Sequence, residues 1–159
     1  MAAGDIAFYN KFKFAQIDGD ANAALSGTPV TFGAGADTIK VAVMTASYVA
    51  DTGDATTQEH WDDVSANQVA TGTGYTGPIT LASPTVTMTS GVVKFDANDV
   101  VIPQDASGFA NGRYIVFYKV GGTDATSPLI AWGDLGATKS ITGGSLTFQW
   151  NSNGIFTLT

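Results

Sequence analysis

The sequence predicts an all-β domain: a β-sandwich or partly open barrel of about eight or nine short antiparallel strands, with one short helix at about 56–69. Three observations lead there. From residue 79 onward, short runs of β-branched and aromatic residues are separated by Gly, Pro, Asn and Ser about every 8–12 residues. The densest run, 113–120, sets Ile115 and Phe117 on one face and Tyr114, Val116, Tyr118 and Val120 on the other, so neither face is polar and both need cover. Only 56–69 carries a helical pattern.

Along the chain, 1–159 reads as one domain, with 1–6 a small, polar and flexible N-terminal arm. In 7–14, Phe8, Phe12 and Phe14 alternate with Tyr9, Lys11 and Lys13, the pattern of a half-buried strand. Residues 17–27 read as a loop and 29–32 as a short strand. The run 38–44 is a strong strand with Ile39, Val41 and Val43 inward. In 56–69, Thr56 or Thr57 can cap a helix, Glu59, Asp62 and Asp63 sit early where the dipole favours negative charge, and Trp61, Val64 and Gln68 form a stripe. This predicts about two or three turns at most. Short strands follow at 79–82, 85–89, 92–95 and 100–102. The runs 114–120 and 129–132 should pair as a central antiparallel hairpin, joined by the Gly/Thr/Asp loop 121–126. Finally, 146–150 (Leu146, Phe148 and Trp150 inward) and 155–158 flank the turn 151–154, predicting a terminal hairpin.

At 159 residues the chain suits one domain with a real core. Charged residues are only 13%, about half the usual share. The surface therefore relies on hydroxyls, as a subunit buried in a large assembly can tolerate and as secreted β-proteins also do. Net charge is −7, and the seven cations are dispersed, which argues against nucleic-acid contact. With no cysteine there is no disulfide framework and no thiolate chemistry. The N-terminus does not read as a signal peptide, and no run approaches the ~20 apolar residues of a membrane span. No membrane partner is expected.

The motifs that suggest chemistry are weak. Gly72-Thr-Gly-Tyr-Thr-Gly77 matches G-x-G-x-x-G, but a dinucleotide site needs a strand before it and a helix after; here the helical pattern precedes and Pro78 follows. The reading is a structural turn that presents Tyr75. Asp18, Asp20 and Asn22 are spaced like the first ligands of a calcium loop, yet Ala23 replaces the turn glycine and Pro29 the closing carboxylate, so a surface loop is the default. His60 is the single histidine. Its helical neighbours would be Asp63 and Val64, no G-x-S-x-G elbow exists, and it reads as a surface residue. No enzyme, cofactor or metal is expected. Tyr114, Tyr118, Trp132 and Trp150 leave open a glycan platform, against the commoner reading of core or interface.

Several features in fixed order carry a resemblance. They are Asn10-Lys-Phe-Lys13; Ile39-Lys-Val-Ala-Val-Met44 leading to Ser47-Tyr48; His60-Trp-Asp-Asp-Val-Ser-Ala-Asn67; and Gly72-Thr-Gly-Tyr-Thr-Gly77. Arg113-Tyr-Ile-Val-Phe-Tyr118, Leu129-Ile-Ala131 with Asp134, and Phe148-Gln-Trp150 with Gly154-Ile155 complete the set. From about Asn10 to the C-terminus the chain resembles a family of small tailed-bacteriophage virion structural proteins of the capsid decoration (cement) type. It departs from the family pattern at Gly77-Pro78, where the family has a second glycine. The resemblance implies a homo-oligomer on the outer capsid surface that bridges subunits of the major capsid protein. A tail adaptor, tube or fibre-associated role is the nearest alternative. Phe8, Phe12, Tyr75, Tyr114 and Tyr118 are the candidate interface residues, and 1–5 followed by 8–14 is a candidate strand-adding arm.

Overall fold

The structure, a computed structural model, describes residues 5–18, 30–33, 35–51, 53 and 57–158, with the backbone only of Asp18. It is an all-β, sandwich-like fold whose strands pair antiparallel throughout. The main sheet has five strands. In spatial order they are β1 (Ile6–Phe8), β8 (Leu129–Lys139), β7 (Gly112–Lys119), β2 (Ile39–Thr45) and β3 (Ile79–Thr80). Facing it lie a three-stranded sheet, β10 (Phe156–Leu158), β5 (Val92–Asp96) and β4 (Thr85–Thr89), and a pair, β6 (Val100–Ile102) with β9 (Leu146–Phe148).

The central pair is as expected: β7 and β8 are antiparallel, with Phe117 opposite Ala131 and Ile115 opposite Gly133. β7 is flanked on its other edge by β2, where Val41 meets Phe117 and Val43 meets Ile115. Residues directly opposite one another share a face. The face bearing Ile115 and Phe117 is therefore continuous with Val41 and Val43, and it packs on Trp150 and Phe156, whose rings lie 5.8 and 6.4 Å from Phe117. The other face is covered by Trp61, stacked on Tyr118 at 4.6 Å and 9°, and by Tyr48, edge-on to Tyr114. Both faces are thus buried, and Ile115, Val116, Phe117 and Tyr118 are all core. At about 25 cal/mol per Å² of apolar area, such two-sided burial is the main source of stability in a chain without disulfides.

Four expectations need correction. First, 7–14 is not a strand: β1 ends at Phe8, and α1 (Asn10–Asp18) follows. The alternating aromatics also fit helical spacing, because Tyr9, Phe12 and Ala15 fall on one side and are buried, while Phe14 and Ile17 face solvent. The Tyr9 N–H makes a last bond to β8, at the Ile130 carbonyl, and the Tyr9 carbonyl accepts the Lys13 N–H to start the helix, each at 3.1 Å. Of the expected arm 1–6, residues 1–4 lie outside the described residues, and Ile6 is already paired with Gly133. Of the expected strand-adding segment 8–14, Phe8 pairs with Ala131 of the same chain and the residues from Asn10 onward are helix.

Second, the helix expected at 56–69 shrinks to α2 (Trp61–Ser65). Its cap is an extended His60, with Asp63 accepting from the amides of His60 and Glu59 at 2.9 Å. Thr57 instead donates its hydroxyl to Asp51, and Thr56 is outside the described residues. Beyond Ser65 the backbone is taken by the end of β2: Thr45 N–H donates to Asn67 O at 2.8 Å and Val69 N–H to Val43 O at 3.0 Å. A further helical turn would forfeit those bonds. Third, the turn at Asn151–Gly154 forms, but the strands around it do not pair with each other. β9 pairs with β6, whereas β10 pairs with β5, since Ile155 N–H is captured by Phe95 O at 2.9 Å. A turn fixes reversal, not partner. Fourth, Val30–Phe32 makes no strand, and Pro29 lies outside the described residues.

Candidate functional site

The β4–β5 hairpin stands apart from the rest of the sandwich. Its two-residue turn places Ser90 and Gly91 at φ 52° and 83°, the left-handed pair of a type I′ turn, which matches the strand twist. Register puts Val86 opposite Phe95, Met88 opposite Val93, and Leu158 of β10 opposite Val93 on its other side. One face of this sheet is therefore wholly apolar, and the other carries Thr85, Thr87, Thr89, Lys94, Asp96 and Thr157.

Only part of the apolar face meets the main sheet. Phe95 is buried against Phe156, its ring stacked at 4.8 Å, and Phe32 closes on both. Further along, Val86, Met88 and Leu158 overhang, and Met88 is 75% exposed. Between this overhang and α1 runs an apolar groove of about 350 Å³, with Phe8, Phe12 and Phe32 at its floor and Ile17, Val86 and Leu158 at its rim. Lys13 and Gln16 supply its polar border. The groove is the sandwich interior continued past the point where the main sheet ends. Chemically it can take an aliphatic or aromatic side chain. Among the described residues that line it there is no pair of acid and base.

The sequence-selected residues fall on both sides of this division. Phe8 and Phe12 stack at 5.3 Å and line the groove, though Phe12 is buried by its own chain. Tyr75 does not project from its loop. It is 2% exposed, edge-on to Phe109, and its hydroxyl accepts the Val43 N–H at 3.0 Å; burial pushes its pKa up to about 12. Tyr118 is likewise buried, under Trp61, and raised to about 12 by burial. Tyr114 is half-buried between Tyr48 and Trp132, with the Arg113 guanidinium 5.7 Å from its ring. Of the glycan-platform residues, Trp150 packs on Phe148 and Phe117 and donates its indole N–H to Asn98 O, so its faces serve the fold. The overhang at Met88 and Leu158 escaped sequence reasoning. Its only signal is Thr85-Val-Thr-Met-Thr89, an edge-compatible strand with no charge.

The glycine-rich loop is held by a carboxylate. Asp105 accepts from the Thr73 hydroxyl at 2.6 Å and the Gly74 N–H at 2.8 Å, and from Ser107 N–H at 2.9 Å. These donors, Thr73 foremost, hold its carboxyl below the usual carboxylate range. A Cβ at Gly74 would stand 2.5 Å from Asp105 Cβ, so the glycine serves this close approach. An anion such as a phosphate would meet a carboxylate already using the amide it needs.

His60 is partly buried, and its Nε2 has no hydrogen-bond partner. Asp63, the carboxylate at its helical i+3 position, is committed to the backbone amides of Glu59 and His60. No cluster of three metal-ligating side chains occurs among the described residues. The expected calcium-like loop from Asp18 to Asn22 lies outside them apart from the Asp18 backbone. No described helix is long and apolar enough to cross a membrane. Another buried polar pair, Tyr9 and Tyr48, is hydroxyl to hydroxyl; burial raises both pKa values, and Tyr48 also reaches Gln58 Oε1 at 3.4 Å. It ties α1 to the 48–51 loop. No family model matches the chain, and no curated protein and no solved structure matches it.

Proposed function

We propose that the chain is a structural component of a tailed-phage virion, most simply a capsid decoration protein that sits on the outer shell, bridges major capsid protein subunits and stabilises the head. The observation that carries this reading is the apolar overhang of Val86, Met88 and Leu158 beside the open groove, on a surface with little charge. Exposed apolar side chains grouped at one place favour a partner surface over solvent. On a lattice, many such modest contacts add up without any one being tight. The ordered resemblance to virion structural proteins supplies the setting.

Localisation on purified particles tests it. Cryo-EM or antibody labelling should place the chain on the capsid shell in many copies. Density confined to the tail would replace decoration with a tail role, and absence from particles would remove the virion reading altogether.

A further inference from the structure

We infer that the free edge of β4 is a self-association surface, at which two copies of this chain pair β4 to β4 antiparallel around a two-fold axis at Thr87. This names the homo-oligomeric contact of the role proposed above and rests on that reading for its purpose, while its geometry rests on the strand alone.

β4 is the last strand of its sheet, and each of its five residues is exposed. No hydrogen bond joins its outer edge to another described residue. Edge strands in soluble proteins are ordinarily blunted by lysine, proline, a bulge or a covering loop. Thr85-Val86-Thr87-Met88-Thr89 has no charge and no proline, and its pairing with β5 runs without a register shift. Near one end, Gly33 lies beside the Val86 side chain and amide.

The alternation of the hairpin says which groups are offered. In a two-residue hairpin the residues flanking the turn, here Thr89 and Val92, form a hydrogen-bonded pair, and the pattern alternates from there. Thr87 and Thr85 therefore direct their backbone groups to β5, while Val86 and Met88 direct theirs outward. The sequence of these five residues is nearly its own mirror image. With an axis at Thr87, Thr87 faces Thr87 of the second copy, Thr85 faces Thr89, and Val86 faces Met88. Val86 and Met88 of the two copies then exchange N–H···O bonds in both directions, as hydrogen-bonded antiparallel pairs do. Threonine meets threonine on one face, and apolar meets apolar on the other. The apolar pairs bring the two overhanging faces together and cover the Met88 side chains. An isologous contact of this kind closes on itself and does not propagate into fibres. A charged partner strand has no counterpart on this edge, whereas a second copy matches it at every position.

The chain has no native cysteine, so one introduced thiol reports the axis. In a non-hydrogen-bonded antiparallel pair the Cα atoms lie about 4.5 Å apart, inside the roughly 4.4–6.8 Å that a disulfide spans. Purified Thr87→Cys protein under mild oxidation should become a covalent dimer. Thr85→Cys alone should not, because Thr85 meets Thr89, and Thr85→Cys/Thr89→Cys together should. In sedimentation, wild type should run at twice the mass of one chain. Met88→Pro removes one outward N–H, and Thr87→Lys sets two like charges across the axis; both should run as monomers with unchanged circular dichroism. A wild-type monomer at high concentration, or equal cross-linking of Thr85→Cys and Thr87→Cys, would overturn the pairing. So would an oligomer that survives both Met88→Pro and Thr87→Lys. Absence of the chain from particles would refute the virion reading and leave this result standing.

Discussion

β7 and β4 are both short, β-rich and nearly free of turn residues, yet they sit in opposite environments. β7 lies between two strands and between two packed layers, with Val116 and Phe117 wholly buried. β4 has one neighbour and no buried residue. The difference lies in what the second layer covers. The main sheet extends under Phe95 and Phe156 but stops short of Met88 and Leu158. One strand makes the fold and the other is left exposed at the edge of its sheet.

This contrast can be broken most directly at its buried end. Phe117→Ala removes a ring packed on Trp150 and Phe156 and should cost about 3–5 kcal/mol in urea unfolding. A loss under about 1 kcal/mol would mean that β7 is not the centre of the core. Tyr75→Phe keeps the ring but leaves the Val43 N–H without its acceptor, a cost of about 1–3 kcal/mol by the same measurement.

The same tyrosines give a pH signature. Tyr75 and Tyr118 have folded pKa values raised from 10.0 to about 12, so the stability from burying their neutral form is complete below pH 10 and is lost as pH rises through about 12. Absorbance near 295 nm should show them ionising together with unfolding. The β4–β5 hairpin has no tyrosine, so alkali acts on the covered half of the molecule. At the acid end the sign reverses. Asp105 is held below the usual carboxylate range, so its contribution is present above the unfolded pKa and lost as pH falls through the folded one. Asp105→Asn should therefore flatten the acid limb of the stability curve and shift neutral stability down; an unchanged acid limb would show that its three donors have other acceptors.

The smallest effect belongs to the exposed strand. Thr87→Lys or Met88→Ala should change monomer stability by no more than about 0.5 kcal/mol, because neither side chain has a buried contact to lose. A large loss in a dilute, monomeric sample would place β4 inside the cooperative core.

Much of the fold was legible because its signals are local. The runs at 39–45, 85–89, 92–96 and 100–102 are strands within a residue or so, and the two-sided apolar pattern at Tyr114, Ile115, Val116, Phe117 and Tyr118 correctly required cover on both faces. The site was less legible. Tyr75 between glycines reads as a projecting side chain, and only the position of the Val43 N–H explains why it turns inward. At Phe8 to Phe14 the aromatic spacing satisfies both periods, and the helix is the one that buries Tyr9, Phe12 and Ala15 together. Gln68 fits a helical stripe with Trp61 and Val64, but it and the following Val69 are drawn to the end of β2.

The sequence by itself determined the class of fold, the positions of most strands and turns, and the low charge of the surface, because propensity, period and composition are properties of neighbouring residues. The tertiary structure alone decided which strands pair, where α1 begins, which tyrosines are inside and where the second layer stops. Those outcomes depend on carbonyls and rings that arrive from distant parts of the chain. The exposed face of β4 is one of them: its residues announce a strand, and only the extent of the opposite sheet leaves Met88 overhanging.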